Sequence, residues 1–274
     1  MARHNELAGQ SAVVTGASSG IGRAIAERLG AEGLFVVLAG RDEASLAQSA
    51  QRITESGGRA LAVATDLRSA AAVQGLVDEC LRETGRLDVF VNCAGVMYLG
   101  TIVDAELDQW RTMLDTNVFA LLVGCQAAIK AMRAGGRAGH IVNLSSVAAL
   151  SPSSGVYGAT KHAVNVITET LRAELLNDPI KVTTIMPGVT ATNMARHMDP
   201  TVVQGFIAMS GVDAEFRPGE RLPEEVLEKG QAALNELMIK PDDVAESVMF
   251  ALKSPVGVHI AEIVVRPNKD LDIG

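Results

Sequence analysis

Short apolar runs alternate with longer stretches of helical periodicity along almost the whole chain. The strand-length runs are AVVT at 12 to 15, LFVVLA at 34 to 39, ALAVAT at 60 to 65, LDVFVN at 87 to 92, HIVNLS at 140 to 145, KVTTIM at 181 to 186 and HIAEIVV at 259 to 265. Most are apolar at consecutive positions rather than alternate ones, which predicts strands buried on both faces of a parallel sheet, with helices covering each side. Breakers fall between the runs: Gly33 before the second, Gly57 and Gly58 before the third, Gly85 before the fourth, and Gly135 with Gly136 before the fifth. No linker interrupts the alternation, so the pattern predicts one doubly wound α/β domain over residues 1–274 with a seven-stranded parallel sheet. It lapses only at 195–240, where Pro200, Pro218 and Pro223 punctuate a helix-prone segment that reads as an insertion, a lid near the functional site.

Composition narrows the class. With 48% hydrophobic and 20% charged residues and a mean hydropathy of +0.22, the chain is expected to be compact rather than disordered. A net charge of -8 argues against a nucleic-acid partner, which needs a basic surface, while leaving room for a single nucleotide held by local dipoles. MARHNELAGQ is polar, and the apolar runs at 34 to 39 and 87 to 92 are too short to span a bilayer, so a cytoplasmic protein without a membrane partner is expected. Cys80, Cys93 and Cys125 lack the spacing of a metal site or a disulfide framework and read as reduced packing residues; no metal is expected.

Two motifs carry chemistry. The first strand ends at Thr15 and runs into Gly16, Gly20 and Gly22 before AIAERLG. That places flexible backbone at a helix N-terminus, where free N–H groups and the dipole attract a pyrophosphate. The second strand runs out as LAGRDEA, with Gly40 at the position where an acid would bond a ribose 2′-hydroxyl and Arg41 next to it. A guanidinium there pairs with a 2′-phosphate, favouring NADP over NAD. Downstream, Tyr157 and Lys161 in GVYGATK share a helix face at i, i+4. The ammonium is expected to lower the phenol from its free pKa of about 10 and bring it into use as an acid and base.

With the glycine turn, the NCAG segment and the Tyr–Lys pair together, the chain resembles the short-chain dehydrogenase/reductases over residues 9 to about 194, and less fully over 241 to 267. The resemblance implies a Rossmann-type fold and an NADP-preferring carbonyl reductase or alcohol dehydrogenase. TGASSGIG matches the family's cofactor turn, which assigns Ser18, Ser19 and Ile21 to the cofactor beside the glycines. Asp66 in ATDL matches the acid that contacts adenine, with Leu67 following it; Asn92, Ala94 and Gly95 match the family's NNAG segment, Cys93 replacing its second asparagine. Pro187, Gly188, Val189 and Thr192 in MPGVTATNM match the segment that shapes the nicotinamide pocket. The catalytic set carried over is Asn117, Ser146, Tyr157 and Lys161. Asn117 would support a water-linked proton path to Lys161, and Ser146, with Ser145 as the alternative, would hold the substrate oxygen. Tyr157 would transfer the proton, and Lys161 would also bond the nicotinamide ribose.

Substrate walls are expected from Met97, Tyr98, Val147, Ser153, Ser154 and Met194. An apolar lid face of Met194, Met198, Phe206, Ile207, Met209 and Phe216 would favour a medium-sized or hydrophobic carbonyl or alcohol, unless that face closes a small core of its own. A nucleotide-sensing protein without turnover would be expected to lack the tyrosine or the lysine, and both are present. An epimerase or dehydratase would carry a TGxxGxxG turn, which this chain does not; the tail EIVVRP resembles a branch that includes 3-hydroxy acid dehydrogenases. Surplus apolar residues on segments 108–133 and 157–176, among them Leu121, Leu122, Ile129, Val166, Ile167 and Leu171, together with the family habit, imply a homodimer or homotetramer.

Overall fold

The computed structural model describes residues 6–269. Among them seven strands, β1 Ser11–Thr15, β2 Phe35–Gly40, β3 Arg59–Ala64, β4 Val89–Asn92, β5 Gly139–Leu144, β6 Ile180–Pro187 and β7 Glu262–Val265, form one sheet in the order β3-β2-β1-β4-β5-β6-β7. Every pairing is parallel. The helices are α1 Gly20–Ala31, α2 Glu43–Glu55, α3 Ala70–Thr84, α4 Leu107–Met113, α5 Ala120–Gly135, α6 Gly155–Glu174, α7 Pro200–Ser210, α8 Glu224–Ala233 and α9 Pro241–Leu252.

Strand alternation divides the interior into two cores. Ala12, Val14, Val89, Val91, Val142, Leu144 and Ile185 face the layer of α1 and α9, whereas Val13, Phe90, Ile141 and Val182 face α3, α5 and α6. Successive side chains of a strand point to opposite faces, so a strand covered on both sides must be apolar throughout. The sheet reverses direction at β1, whose neighbours are β2 and β4, opening a crevice above the carboxyl ends of β1 and β4.

Most strands start and stop within a residue of expectation. The fourth begins at Val89 rather than at 87: Asp88 bonds both neighbouring strands through its backbone, and its carboxylate accepts from the Ser11 N–H at 2.8 Å and from Arg86. The seventh begins at Glu262 rather than at 259. A turn at Pro255–Val258 precedes it, and residues 259 and 260 are held to β6 by side chains instead of ladder bonds: Thr183 Oγ1 donates to the Ile260 carbonyl at 2.6 Å.

Helices α4 and α5 join through a π-helical turn, Leu114–Phe119, into one continuous helix, Leu107–Gly135. By length and hydropathy this helix could cross a bilayer, a feature missed by inspecting only the strand-like runs, yet half of its most apolar stretch is buried in the protein. Leu121 and Ile129, expected as surplus apolar surface, belong to the core, and Ile167 and Leu171 pack against it. Of that expected set Leu122 and Val166 remain exposed, joined by Leu107, Leu114 and Phe119.

The lid leaves and returns at one point. Thr190 and Ile239 form a parallel bridge, with Ile239 N–H donating to the Val189 carbonyl and Ala191 N–H to the Ile239 carbonyl. Between these roots α7 and α8 close a core of their own around Val203, Ile207, Leu222 and Val226. Met198, Phe206 and Phe216 pack into that core, not toward the crevice, and Met209 is exposed. The expected apolar face of the lid is therefore spent inside the lid, Met194 excepted.

Candidate active site

The glycine turn is built for close backbone approach. Gly16 has φ +72°, and a Cβ there would stand 2.9 Å from the Ala94 backbone; a Cβ on Gly22 would stand 2.3 Å from the Gly16 carbonyl oxygen. Thr15 Oγ1 accepts from the N–H groups of Cys93 and Ala94, joining the ends of β1 and β4 across the crevice. Ser19 caps α1 with extended backbone but no side-chain hydrogen bond, so its hydroxyl satisfies none of the first-turn N–H groups. A helix N-terminus in this state fits a diphosphate. Thr192 closes over the turn, its Cγ2 2.9 Å from where a Gly20 Cβ would lie.

At the end of β2, a Cβ on Gly40 would stand 3.3 Å from the Ser18 hydroxyl, so the glycine lets the turn pack closely on the strand end. Arg41 is exposed and makes no ion pair or hydrogen bond with the described residues. Asp42 caps α2, accepting from Ser45 N–H and Oγ, which holds its carboxyl below the usual range. Asp66 lies at the adjacent strand end, where hydrogen bonds from Arg68 bring its carboxyl down to about 2. Two expected cofactor residues turn away from the crevice. Leu67 buries its side chain in the core, leaving only its backbone for a ligand. Asn92 donates to Asn143 Oδ1 at 2.9 Å and to Cys125 in a buried polar ladder that Asn143 extends to Thr168 on α6.

Beyond the turn, side chains of the expected catalytic set converge. A Cβ on Gly95 would lie 3.4 Å from Asn117 Oδ1, 3.5 Å from Lys161 Nζ and 4.0 Å from the Met194 methyl. Asn117 stands on the π-helical turn and is 1% exposed. Its side chain accepts from Val96 N–H at 2.8 Å and donates to the Val96 carbonyl and to Thr160 Oγ1. It is a clamp between the β4 loop and α6, and its side chain is fully engaged in that role. The two serines separate. Ser145 Oγ donates to the Lys161 carbonyl at 3.0 Å and ties β5 to α6. Ser146 Oγ accepts from Ala148 N–H, donates to the Pro187 carbonyl at 3.4 Å and lies near enough to the Tyr157 phenol to pull its pKa down. Ser146 is the serine on the tyrosine side.

The electrostatics depart from expectation. Burial pushes the Tyr157 phenol up to about 12, and the opposing pull comes from Ser146, not from Lys161. Lys161 Nζ donates instead to the Leu144 carbonyl at 2.8 Å, at the end of β5. Its own pKa falls to about 8 because burial disfavours the ammonium. Sharing a helix face with a lysine therefore did not settle where the ammonium points.

Apolar side chains enclose the phenol: Val96, Met113 and Tyr157 are buried together, with Met97, Tyr98, Trp110, Val156 and Met194 packed on them. Met97, Tyr98 and Met194, expected as substrate walls, are among the residues packed on this cluster. Ser153 does not join this cluster; it is exposed and bonded to Ser151, and Val147 begins a short 3-10 turn beside Ser146. Trp110, Met113 and Val156 were missed, although helical spacing from Asn117 and adjacency to Tyr157 could have flagged them.

The short chain dehydrogenase family model matches residues 10–202. The chain belongs to this family. A short-chain dehydrogenase is an oxidoreductase, and the chain is 35% identical over 264 residues to an uncharacterised oxidoreductase of Staphylococcus haemolyticus, covering 96% of this chain and 99% of that one. Among solved structures, a metagenomic short-chain oxidoreductase in complex with NADP is 30% identical with a TM-score of 0.74, covering 96% of this chain and 99% of that one. A Burkholderia phymatum short-chain dehydrogenase/reductase in complex with NAD is also 30% identical, with a TM-score of 0.76, covering 95% and 90%. This short-chain dehydrogenase keeps the family architecture despite Cys93, whose thiol burial pushes up to about 12 and whose N–H donates to Thr15.

Proposed function

We propose that this short-chain dehydrogenase transfers hydride between NADP(H) and a carbonyl or secondary alcohol with an apolar body. The observation that carries the reading is the Tyr157 phenol, buried beside Ser146 and walled by Val96, Met113 and Met194. The glycine turn at the N-terminus of α1 would hold the dinucleotide, which when bound would supply or accept the hydride. Ser146 holds the substrate oxygen, and Tyr157 moves a proton to it or from it, neutralising charge that would otherwise develop in an apolar cleft. With its phenol held at about 12, Tyr157 is the protonated donor at neutral pH. Lys161, fixed on Leu144, presents positive charge beneath the site at neutral pH. Gly40, which carries no acid, and the unpaired Arg41 support NADP(H) over NAD(H).

The test is to follow reduced-cofactor absorbance for NADPH with a panel of carbonyls and repeat the best case with Tyr157→Phe. Turnover should fall by about 10² to 10⁴ while NADPH still binds. Near-full turnover of Tyr157→Phe would place the proton donor elsewhere.

A further inference from the structure

Arg221 belongs to the lid yet sits on the glycine turn. Its Nη2 donates to Ser18 Oγ at 3.1 Å and its Nη1 to Ser45 Oγ at 2.8 Å, with the Ser18 carbonyl at 3.5 Å and Asp42 Oδ2 at 3.0 Å. Ser18 Oγ is also the atom nearest to where a Gly40 Cβ would lie, 3.3 Å away. The guanidinium thus borders the corner where the group on the adenosine 2′ position would lie. Asp42 pairs with the guanidinium while also capping α2 through Ser45, so the carboxylate holds Arg221 on one side only and leaves the contacts to Ser18 and Ser45 as the ones that face the turn.

The neighbourhood carries unbalanced positive charge in a chain whose net charge is -8. Arg41 has no partner among the described residues, and Arg196 bonds only the Asn193 carbonyl and His197, with no carboxylate. Arg41 and Arg221 lie close enough to Arg196 to lower its pKa, after burial. Asp42, paired with Arg221, and Asp66, held by Arg68 with Arg41 nearby, offset only part of this charge, and the remaining excess of guanidiniums suits an anion.

Arg221 is also wired to the catalytic end. The next residue, Leu222, is buried in the lid core, and its N–H donates to Asn193 Oδ1 at 2.6 Å. Asn193 directly follows Thr192, which closes on Gly20, and precedes Met194, which packs on Tyr157. A ligand that fixes Arg221 therefore fixes both walls of the reaction pocket.

We propose that Arg221 is a lid-borne ligand for the cofactor's 2′-phosphate, so that NADP(H), but not NAD(H), fastens the lid at the ribose corner. This rests on NADP(H) being the cofactor. On binding, the guanidinium exchanges Ser18 and Asp42 for phosphate oxygens, a charge-assisted bond for which its planar fork is suited.

The experiment compares adenosine 2′,5′-bisphosphate with AMP, which lacks the 2′-phosphate, on the full chain by titration calorimetry, with hydrogen exchange read over residues 200–233. The unmodified protein should prefer the bisphosphate and slow its lid exchange when the bisphosphate binds. Arg221→Ala should weaken the bisphosphate about tenfold, leave AMP unchanged and lose the slowing; Arg221→Lys, which keeps the charge and guards against a folding defect, should retain part of both. If Arg221→Ala weakens both ligands alike, or neither, the inference falls while the NADP reading stands. If the unmodified protein does not distinguish the two ligands, the NADP reading fails and this inference with it.

Discussion

Replacing Lys161 with methionine should stabilise the cofactor-free protein at neutral pH while disabling it. Lys161 is 4% exposed, and burial lowers its pKa from 10.5 to about 8, so holding the ammonium inside costs about 3 kcal/mol. Methionine fills similar volume without charge but leaves the Leu144 carbonyl without the bond that Nζ supplies at 2.8 Å, a loss of about 1 to 3 kcal/mol. The difference favours the variant by up to roughly 2 kcal/mol at pH 7, the usual direction when a functional charge is removed from a buried site. The pH dependence identifies the cause. Between about 8 and 10.5 the unfolded chain holds a proton on Lys161 that the folded one does not, so the unmodified protein gains stability with rising pH by up to about 1.4 kcal/mol per unit. The methionine variant lacks this gain. Its advantage should shrink from pH 8 upward and reverse near pH 10, where neutral lysine still bonds Leu144. Tyr157, Cys93 and Cys125, each held near 12 by burial, work in the opposite sense at alkaline pH, but they are common to both proteins. Paired denaturant titrations from pH 7 to 10 read the difference directly. A variant less stable than its parent at pH 7, or a gap that does not change with pH, would refute the reasoning.

Arg41→Asp should erase or reverse a preference for NADPH by more than about tenfold; equal affinities of the unmodified protein for both reduced cofactors, measured by fluorescence titration, would sink the assignment. Acidification should destabilise the fold through His140, whose imidazole is pushed down to about 3 by burial, His259 and Lys181. Between pH 6.5 and 3 the unfolded state takes up a proton that folded His140 refuses, so stability falls with pH by up to about 1.4 kcal/mol per unit; His140→Gln should flatten that slope in denaturation experiments, and an unchanged slope counts against it. The exposed Leu107, Leu114, Phe119, Leu122 and Val166 are expected to be covered in a homo-oligomer, which light scattering checks: a monomeric mass across the micromolar range would exclude it.

The sheet was legible because strands covered on both sides must be apolar at every position, and the glycine turn because Gly16 and Gly22 stand where no side chain fits. The lid was misread at Met198, Phe206 and Phe216 because helical periodicity reveals an apolar face without saying which core receives it. The lysine was misread for a related reason: i, i+4 spacing puts Lys161 beside Tyr157 but carries no knowledge of the Leu144 carbonyl, 17 residues away, that captures the ammonium. Arg221 meets Ser18 across 203 residues, and no local pattern encodes that meeting.

The bridge between Thr190 and Ile239 has a consequence for how such a chain diversifies. Because the long excursion begins and ends at one hydrogen-bonded crossing, the scaffold fixes the separation of its ends, and changing its length alters closure entropy only slowly. With Val203, Ile207, Leu222 and Val226 supplying its interior, the excursion behaves as a cassette. Its sequence is free to drift, or to be exchanged for another of different length, provided the crossing and the contacts reaching back to Gly20 and Ser18 survive. Substrate choice can thus evolve at a socket while the dinucleotide crevice beneath it stays still.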